Sequence, residues 1–469
     1  MTSTEPTTAT VILAAGLGTR MRSRRPKVLH ELCGRPMLAY VIDAAVAATA
    51  GRPLVVTSPA TAGVRAAFPD GVDWALQAAP RGTGDALKAA LDALASDGDL
   101  VDEFVVLSGD TPLLTAATIR DVIARRRADG AALSLATMSP DDPEGYGRIL
   151  RDGANVMRIV EQKDASEDEL LIDEVNGGLY AFEAAWLRDH IGGLRPSPVS
   201  GEVYLTDLVA LAQQSGREVT VLEVDDEAEM AGINDRVQLA TAEADLRWRL
   251  LEGHLLAGVT MEDPTTVFID ATVELAEDVV LEPNVALRGR TRVGADTVVG
   301  SGSRLVDAVV GERCVIRDSV LESCTVRDGA SIGPFAHLRA GADIGAGAQI
   351  GNFAEVKQSR VGAGSKQHHF SYLGDADIGA GVNIGAGTVT VNFDGRRKHR
   401  TVIGDGAFIG SDSMLVAPLT VGEGAATGAG SVVTRDVPAG KLAVGVPARI
   451  RERRQPANDG AETEKGSAG

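Results

Sequence analysis

Three stretches of the chain carry side chains suited to chemistry. The first is Leu13-Ala14-Ala15-Gly16-Leu17-Gly18-Thr19-Arg20-Met21, followed by Pro26-Lys27. Gly16 and Gly18 let backbone N–H groups close on a phosphate at a helix N-terminus, and Arg20 and Lys27 bring charge to it. The spacing is neither G-x-G-x-x-G nor a Walker loop, and taken alone it suits an ordinary strand-to-helix turn equally well. The second stretch, Val105-Val106-Leu107-Ser108-Gly109-Asp110, ends a strand-like run on a carboxylate. The third holds His368 and His369 within Gly364–Asp375. Histidine titrates near working pH and suits a general base, although a lone histidine is more often structural, and here two neighbours compete for the role.

The elements around these residues follow from patterning. Val11-Ile12-Leu13 delivers the glycine stretch and reads as strand, glycine loop, then helix. Further strand-like runs lie at 53–57, 104–108, 131–137, 156–160 and 218–224, with helical patterns at 36–49, 83–95 and 115–128. Such alternation predicts a Rossmann-like α/β domain, a mostly parallel sheet with helices on both faces and ligands at the carboxyl ends of its strands. From 234 to 257 the apolar residues Val237, Ala240, Ala244, Trp248, Leu251 and Leu255 fall three or four apart and predict one helix with a single apolar stripe. At about 36 Å it is long enough to hold two domains apart.

A different period follows. Val326, Ile332, Leu338, Ile344, Ile350 and Val356 recur every sixth residue, and the count returns at Ile378 and Ile384 and through Ile403, Ile409, Leu415, Val421 and Thr427. A weaker version reaches back through Val273, Val279, Val285, Val293, Val299 and Leu305. A period of six fits neither helix nor two-sided strand and predicts a parallel β-helix of three hexads per coil. The glycine after many of these residues is expected where a corner needs a φ that a Cβ forbids. The count fails at 362–377 and 390–402, which predicts two loops expelled from the coil, natural places for function. The expected division is 1–236, a helical linker over 237–257, the β-helix over 258–451 and a disordered tail over 452–469, with residues 1–9 a disordered lead.

Composition narrows the function classes. The 469-residue chain carries a net charge of −19, which argues against non-specific binding to nucleic acid or anionic membrane. Anionic substrates must then be met by local cations. Aromatic residues make up only 4%, as suits a thin coil filled by aliphatic side chains. Cys33, Cys314 and Cys324 have neither metal nor disulfide spacing and suit buried thiols in a reducing compartment. No signal-peptide pattern and no apolar run near the roughly 20 residues of a membrane helix is found, so a soluble, cytoplasmic protein is expected.

The whole constellation from Leu13 to Lys27 resembles the signature of sugar-1-phosphate nucleotidyltransferases. That resemblance implies nucleotide contacts from Leu13, Ala14, Ala15, Gly16, Arg20, Lys27, Gly82, Thr83, Ser108 and Gly109, with Gln77 reading a uracil edge through its amide donor and acceptor. It implies Asp110 and Asn234 as ligands of Mg²⁺, which keeps waters and phosphates in its shell. Gly147, Glu161 and Asn176 match positions that hold the sugar. The reaction needs no protein nucleophile, because positioning and charge neutralisation suffice.

Both breaks in the hexad count resemble the acetyltransferase half of the bacterial bifunctional uridyltransferase/acetyltransferase family, and the resemblance then covers the chain apart from its tail. It implies His369 as the base, favoured over His368 by register against Tyr372-Leu373-Gly374-Asp375. It implies Arg339, Lys357, Tyr372 and Asn383 around glucosamine 1-phosphate, and Ala386, Asn392, Phe393, Ser411 and Ala429 along acetyl-CoA. N-acetylglucosamine 1-phosphate and UTP are the expected substrates of the first domain. A homotrimer of left-handed β-helices is implied as well. Two departures are visible. Phe393 stands where tyrosine is common, and Val446 where some members have an arginine for coenzyme A, so the phosphates of the cofactor are expected to be held differently. The competing readings are a nucleotidyltransferase whose β-helix is only structural or regulatory, disfavoured by His369, Tyr372, Asn383 and Lys357 falling together, and a non-catalytic subunit, disfavoured because Asp110, Lys27 and the glycine loop are all retained.

Overall fold

The computed structural model describes residues 6–96 and 101–453. The chain divides into two compact units, Met1–Trp248 and Arg249–Gly469. Strand begins at Thr8, inside the stretch expected as a disordered lead. At the other end Glu452 still closes a strand, and 454–469, most of the expected tail, lie outside the described residues.

In the first unit the apolar run becomes β1 (Thr8–Leu13), and the other expected strands become β2 (Leu54–Thr57), β4 (Glu103–Ser108), β5 (Leu133–Met138), β7 (Asn155–Val160) and β9 (Val219–Glu223). Between them lie α1 (Met37–Thr49), α2 (Thr83–Ser96) and α3 (Ala116–Asp129). Three strands of the main sheet escaped the sequence reading: β3 (Asp73–Leu76), β6 (Arg148–Asp152) and β8 (Val175–Glu183). The sheet runs β9-β5-β8-β4-β1-β2-β3, with β6 and β7 attached beside β8. The β1, β2, β3 and β4 pairings are parallel, as is β5 with β9, but β8 runs antiparallel to β4, β5 and β6. The expectation of a mostly parallel sheet is therefore right around β1 and wrong around β8. Gly177-Gly178 interrupts the strand pattern there, and the ladder shifts register between Asn176 and Tyr180.

The central strand β1 is buried at Val11 and Ile12, both fully enclosed. Its carboxyl end opens into the glycine stretch. No α-helix follows: the chain makes a 3₁₀ turn over Thr19–Met21 and another over Lys27–Leu29, and the first α-helix starts at Met37. The expected helix N-terminus is absent because Pro26 and the left-handed Gly18 and Arg22 break the run.

The helix expected over 234–257 is α4 (Arg236–Leu256). Its apolar stripe was misplaced. Val237 is 76% exposed and Trp248 50%, while Ala242 and Leu246 are buried. The face is set by polar anchors, since Glu243 accepts a bond from the Cys33 backbone N at 2.7 Å and Arg236 Nε donates to Met21 O at 3.3 Å. Leu251 is buried as expected, within the core of the second unit.

The second unit is a parallel β-helix with three faces, sheets of 12, 10 and 9 short strands. Val326, Ile332, Leu338, Ile344, Ile350 and Val356 all point inward with at most 1% exposure. Gly333, after Ile332, is left-handed as expected at φ 99°, but the glycines after Ile344 and Ile350 have a different cause. Gly351 is not left-handed, but a Cβ there would stand 2.0 Å from His368 O on the next coil, so close stacking excludes the side chain. The left-handed glycine is the later one of the corner, such as Gly347 at φ 65°. The first break is also not an expelled loop. Coils continue through Lys366–Gln367, Ser371–Gly374 and Ala376–Ile378, with steps of five residues from Val356 to Val361 and from Leu373 to Ile378. The inward position is occupied by Gln367, which is why an apolar count lost it. The second break is an excursion: the chain leaves at Asn392 and rejoins the coil at Thr401.

Candidate active sites

In the first unit two adjoining cavities open where β1 and β4 end. One of about 210 Å³ is lined by Gly147, Glu161 and Asn176 among others, and one of about 430 Å³ by the glycine stretch, Lys27 and Gln77. Leu13, Thr83, Ser108 and Asp110 border both. Asp110 is carried past β4 by Gly109, whose N–H is held by Leu13 O at 3.0 Å. A Cβ at Gly109 would come within 2.9 Å of that oxygen.

Lys27 Nζ donates to Asp110 Oδ2 and, at 2.9 Å, to Asn234 Oδ1. Gly18 makes this possible, because a Cβ there would lie 2.6 Å from Lys27 Cβ. A Cβ on Gly16 would meet nothing within 4 Å, so that glycine leaves the cavity wall open for a ligand. Asp110 and Asn234 thus present one carboxylate and one amide oxygen to a seat already filled by a cation. Two oxygen donors with room for water and phosphate fit a hard divalent ion. Among the described residues no cluster of three His, Cys, Asp or Glu offers an alternative metal site.

Gln77 is buried, and its Nε2 donates to Gly82 O and to Asp85 Oδ2, both at 3.0 Å. Both amide protons are spent, so Gln77 offers only its acceptor, not the donor-acceptor pair expected from its residue type. Gly82 is left-handed at φ 113°, and a Cβ would stand 2.4 Å from Val203 O. Thr83 opens α2 and its Oγ1 accepts from Leu205 N at 3.0 Å. Arg20 lines the smaller cavity.

Glu161 Oε1 accepts from Thr206 Oγ1 at 2.9 Å. Burial pushes its carboxyl up from the ordinary glutamate range. Gly147 packs against it, since a Cβ would be 3.5 Å from Glu161 Oε2. Asn176 Oδ1 accepts from Tyr180 Oη at 2.8 Å and Gly178 N at 3.1 Å. Sequence reasoning missed Thr206, Tyr180 and Tyr146, whose hydroxyl accepts from Gly232 N at 3.3 Å. Tyr146 immediately precedes the candidate Gly147 and was readable, whereas Thr206 carries no local signal.

In the second unit the candidate residues distribute over the coil faces. Arg339, Lys357 and Tyr372 lie on consecutive coils of one face, where Glu355 pairs with Tyr372 and Lys357 with Gly374. Arg339 is held by Glu355 at 2.7 Å. Asn383 is not with them: it sits on the neighbouring face, between Lys366 and Phe408. His369, Ala386, Ser411 and Ala429 form one ridge at the edge joining those two faces. Each stands two residues after an inward residue (Gln367, Ile384, Ile409, Thr427) and three before Tyr372, Val389, Met414 or Val432. Asn392 and Phe393 lie at the opposite edge, on the excursion. There Asn392 Nδ2 donates to Asp375 Oδ2 at 2.5 Å and to Tyr372 Oη at 3.4 Å. The five candidate coenzyme residues are therefore split between two edges of one face.

Both histidines are exposed, but their partners differ. His368 Nε2 is engaged with Gln349 Oε1 at 2.7 Å, while the His369 ring makes no hydrogen bond among the described residues.

Comparison with known proteins supports both halves. Residues 10–158 match the MobA-like NTP transferase domain, and 323–358 and 400–435 match the bacterial transferase hexapeptide (six repeats). The chain is 48% identical to "Bifunctional protein GlmU" of Trichlorobacter lovleyi, over 93% of this chain and 95% of that one. It is 48% identical to the protein so named in Kineococcus radiotolerans, over 93% and 89% of the two chains, and 45% identical to that of Mycobacterium bovis, over 98% and 95%. With a nucleotidyltransferase domain and hexapeptide repeats matched on one chain and near-complete coverage of these relatives, the chain belongs to the family of bifunctional GlmU proteins.

Proposed function

We propose that the chain makes UDP-N-acetylglucosamine for cell-wall synthesis in two reactions, acetylating glucosamine 1-phosphate with acetyl-CoA and then joining the product to UTP with release of pyrophosphate. The observation that carries the second reaction is the convergence of Lys27, Asp110 and Asn234 at the junction of the two cavities. In this reading Gly147, Glu161 and Asn176 seat N-acetylglucosamine 1-phosphate, and Leu13 to Gly16, Gly82, Thr83, Ser108 and Gly109 wall the nucleotide. Gln77 accepts the uracil N3–H through Oε1. Asp110 and Asn234 hold Mg²⁺, which supplies charge neutralisation to the triphosphate. Lys27 and Arg20 meet the phosphates, and the sugar phosphate oxygen attacks the α-phosphorus in line with the leaving pyrophosphate.

On the β-helix, His369 removes a proton from the glucosamine amine as that nitrogen attacks the thioester carbonyl, and coenzyme A leaves as the thiol. Arg339, Lys357, Tyr372 and Asn383 hold the sugar phosphate; Ala386, Ser411 and Ala429, with Asn392 and Phe393, hold acetyl-CoA. The division of these residues over two faces and two edges supports a homotrimer in which neighbouring copies complete each acetyl site. Three buried, unbridged cysteines suit a cytoplasmic protein, and among the described residues no helix is long and apolar enough to cross a membrane.

Two assays on one preparation test the reading, thiol release from acetyl-CoA with glucosamine 1-phosphate and pyrophosphate release from UTP with the acetylated sugar. Asp110→Ala is expected to abolish pyrophosphate release and leave thiol release intact, and His369→Ala to do the reverse. Loss of both activities in either folded variant would refute two independent sites.

A further inference from the structure

Gln367 breaks the composition of the coil interior. Its position on the inward stack is otherwise filled by Ile332, Ile350, Ile384 and Ile409 on neighbouring coils, and it is completely buried. An amide enclosed among aliphatic side chains is destabilising unless its polar atoms are paired. Here only half of it is. Gln367 Nε2 donates to Ser371 Oγ at 2.8 Å, while Gln367 Oε1 is buried without a partner. An aliphatic residue would stack better, so stability alone does not account for glutamine.

The one bond it makes leads outward. Ser371 Oγ, having accepted from Gln367, donates at 2.8 Å to the carbonyl oxygen of His369. Gln367, Ser371 and His369 bracket the same corner, which departs from the glycine-containing corners Gly385–Thr388 and Gly410–Ser413 on the following coils. Those corners tie themselves internally, Thr388 and Ser413 donating to Gly385 O and Gly410 O at 2.7 Å each. The His369 corner has histidine and phenylalanine in place of Gly385 and Gly387, and its hydroxyl bonds two residues back, onto the His369 backbone, as Ser359 does onto Lys357 O at 2.8 Å; here alone the buried amide of Gln367 holds that hydroxyl from the other side.

We propose that Gln367 is a positioning residue for acetyl transfer, fixing the His369 backbone through Ser371. The proposal rests on the reading of His369 as the base. Buried polar groups that break a local rule without gain in packing are found where function requires them, and a small displacement of a reacting group is costly in rate.

The experiment compares wild type, Gln367→Leu, Ser371→Ala and the double variant. Leucine removes the unpaired oxygen and leaves Ser371 its acceptor on His369, so Gln367→Leu is expected to melt at an equal or higher temperature. Its kcat for acetyl transfer is expected to fall roughly tenfold, with KM for both substrates and the rate of uridylyl transfer unchanged. Ser371→Ala is expected to fall by a similar factor, and the double variant no further than either, because the two act as one unit. A Gln367→Leu protein that keeps wild-type kcat overturns the proposal, and so does one that loses melting temperature and both activities together. Carbethoxylation of His369, followed by mass spectrometry, reads the same corner without any turnover. Its rate is expected to change in Gln367→Leu, and an unchanged rate also overturns the proposal. If wild type itself transfers no acetyl group, the assignment of His369 as base has failed, and the modification rate still decides whether Gln367 holds that corner.

Discussion

At the scale of single residues, the Lys27 ammonium bridges Asp110 Oδ2 and Asn234 Oδ1, the two side chains proposed to hold Mg²⁺, so on that proposal a divalent cation would have to displace it from those oxygens. Lys27→Met is therefore expected to bind Mn²⁺ more tightly than wild type in the absence of nucleotide, while its affinity for UTP drops by about tenfold or more for the lost charged contact. Titration by water-proton relaxation, with and without UTP, checks both signs, and equal Mn²⁺ affinity in the two proteins would refute the exchange. The residue identities around this seat were legible in the sequence: Gly18 and Lys27 stood in the glycine motif, Asp110 ended a strand-like run, and Asn234 came from the family resemblance. What was not legible was how their atoms are spent. Residue type gives Gln77 both a donor and an acceptor, yet Gly82 and Asp85 take its protons, and only three-dimensional neighbours reveal that.

At the scale of elements, the strand that carries Asp110 is anchored at its far end by a buried carboxylate. Glu103 is fully enclosed at the start of β4 and receives bonds from Thr8 at 2.6 Å, Arg126 at 2.7 Å and Arg127 at 3.2 Å. Burial alone would raise its pKa; the bonds from Arg127, Thr8 and Arg126 outweigh this and hold it below the ordinary glutamate value. A depressed folded pKa means stability that is present above the unfolded glutamate value and is lost as pH falls through the folded one. Glu103→Gln is expected to cost about 3–5 kcal/mol at pH 7, because two guanidiniums lose their counter-charge. Its melting temperature is also expected to vary less than that of wild type on acidification. Differential scanning calorimetry between pH 7 and pH 3 tests this. Periodicity made most elements readable, since six-residue and 3.6-residue patterns are imposed by burial. It failed where burial and pattern part company: at β8, interrupted by two glycines; at Gln367, polar but inward; and along α4, where Ala242 and Leu246, flanked by the bonded Glu243 and Arg236, are buried in place of Val237 and Trp248.

At the scale of the whole molecule, the distribution of candidate residues over the β-helix predicts behaviour that one chain cannot show alone. Tyr372 and Asn383 occupy adjacent faces. Tyr372→Ala and Asn383→Ala are each expected to lose most acetyl transfer, and mixing the two unfolded chains and refolding them together is expected to restore part of it. Sedimentation should then report three copies per particle. No recovery in a correctly assembled mixture would mean that each chain carries a complete acetyl site. The ridge of His369, Ala386, Ser411 and Ala429 adds a further property. Each residue is one coil from the next, and neighbouring parallel strands lie about 4.8 Å apart, so the ridge spans about 14 Å in three equal increments. The coil is thereby a ruler graduated in whole turns. Inserting or deleting one coil would change the length of the ridge by one such increment and leave the remaining steps as they are.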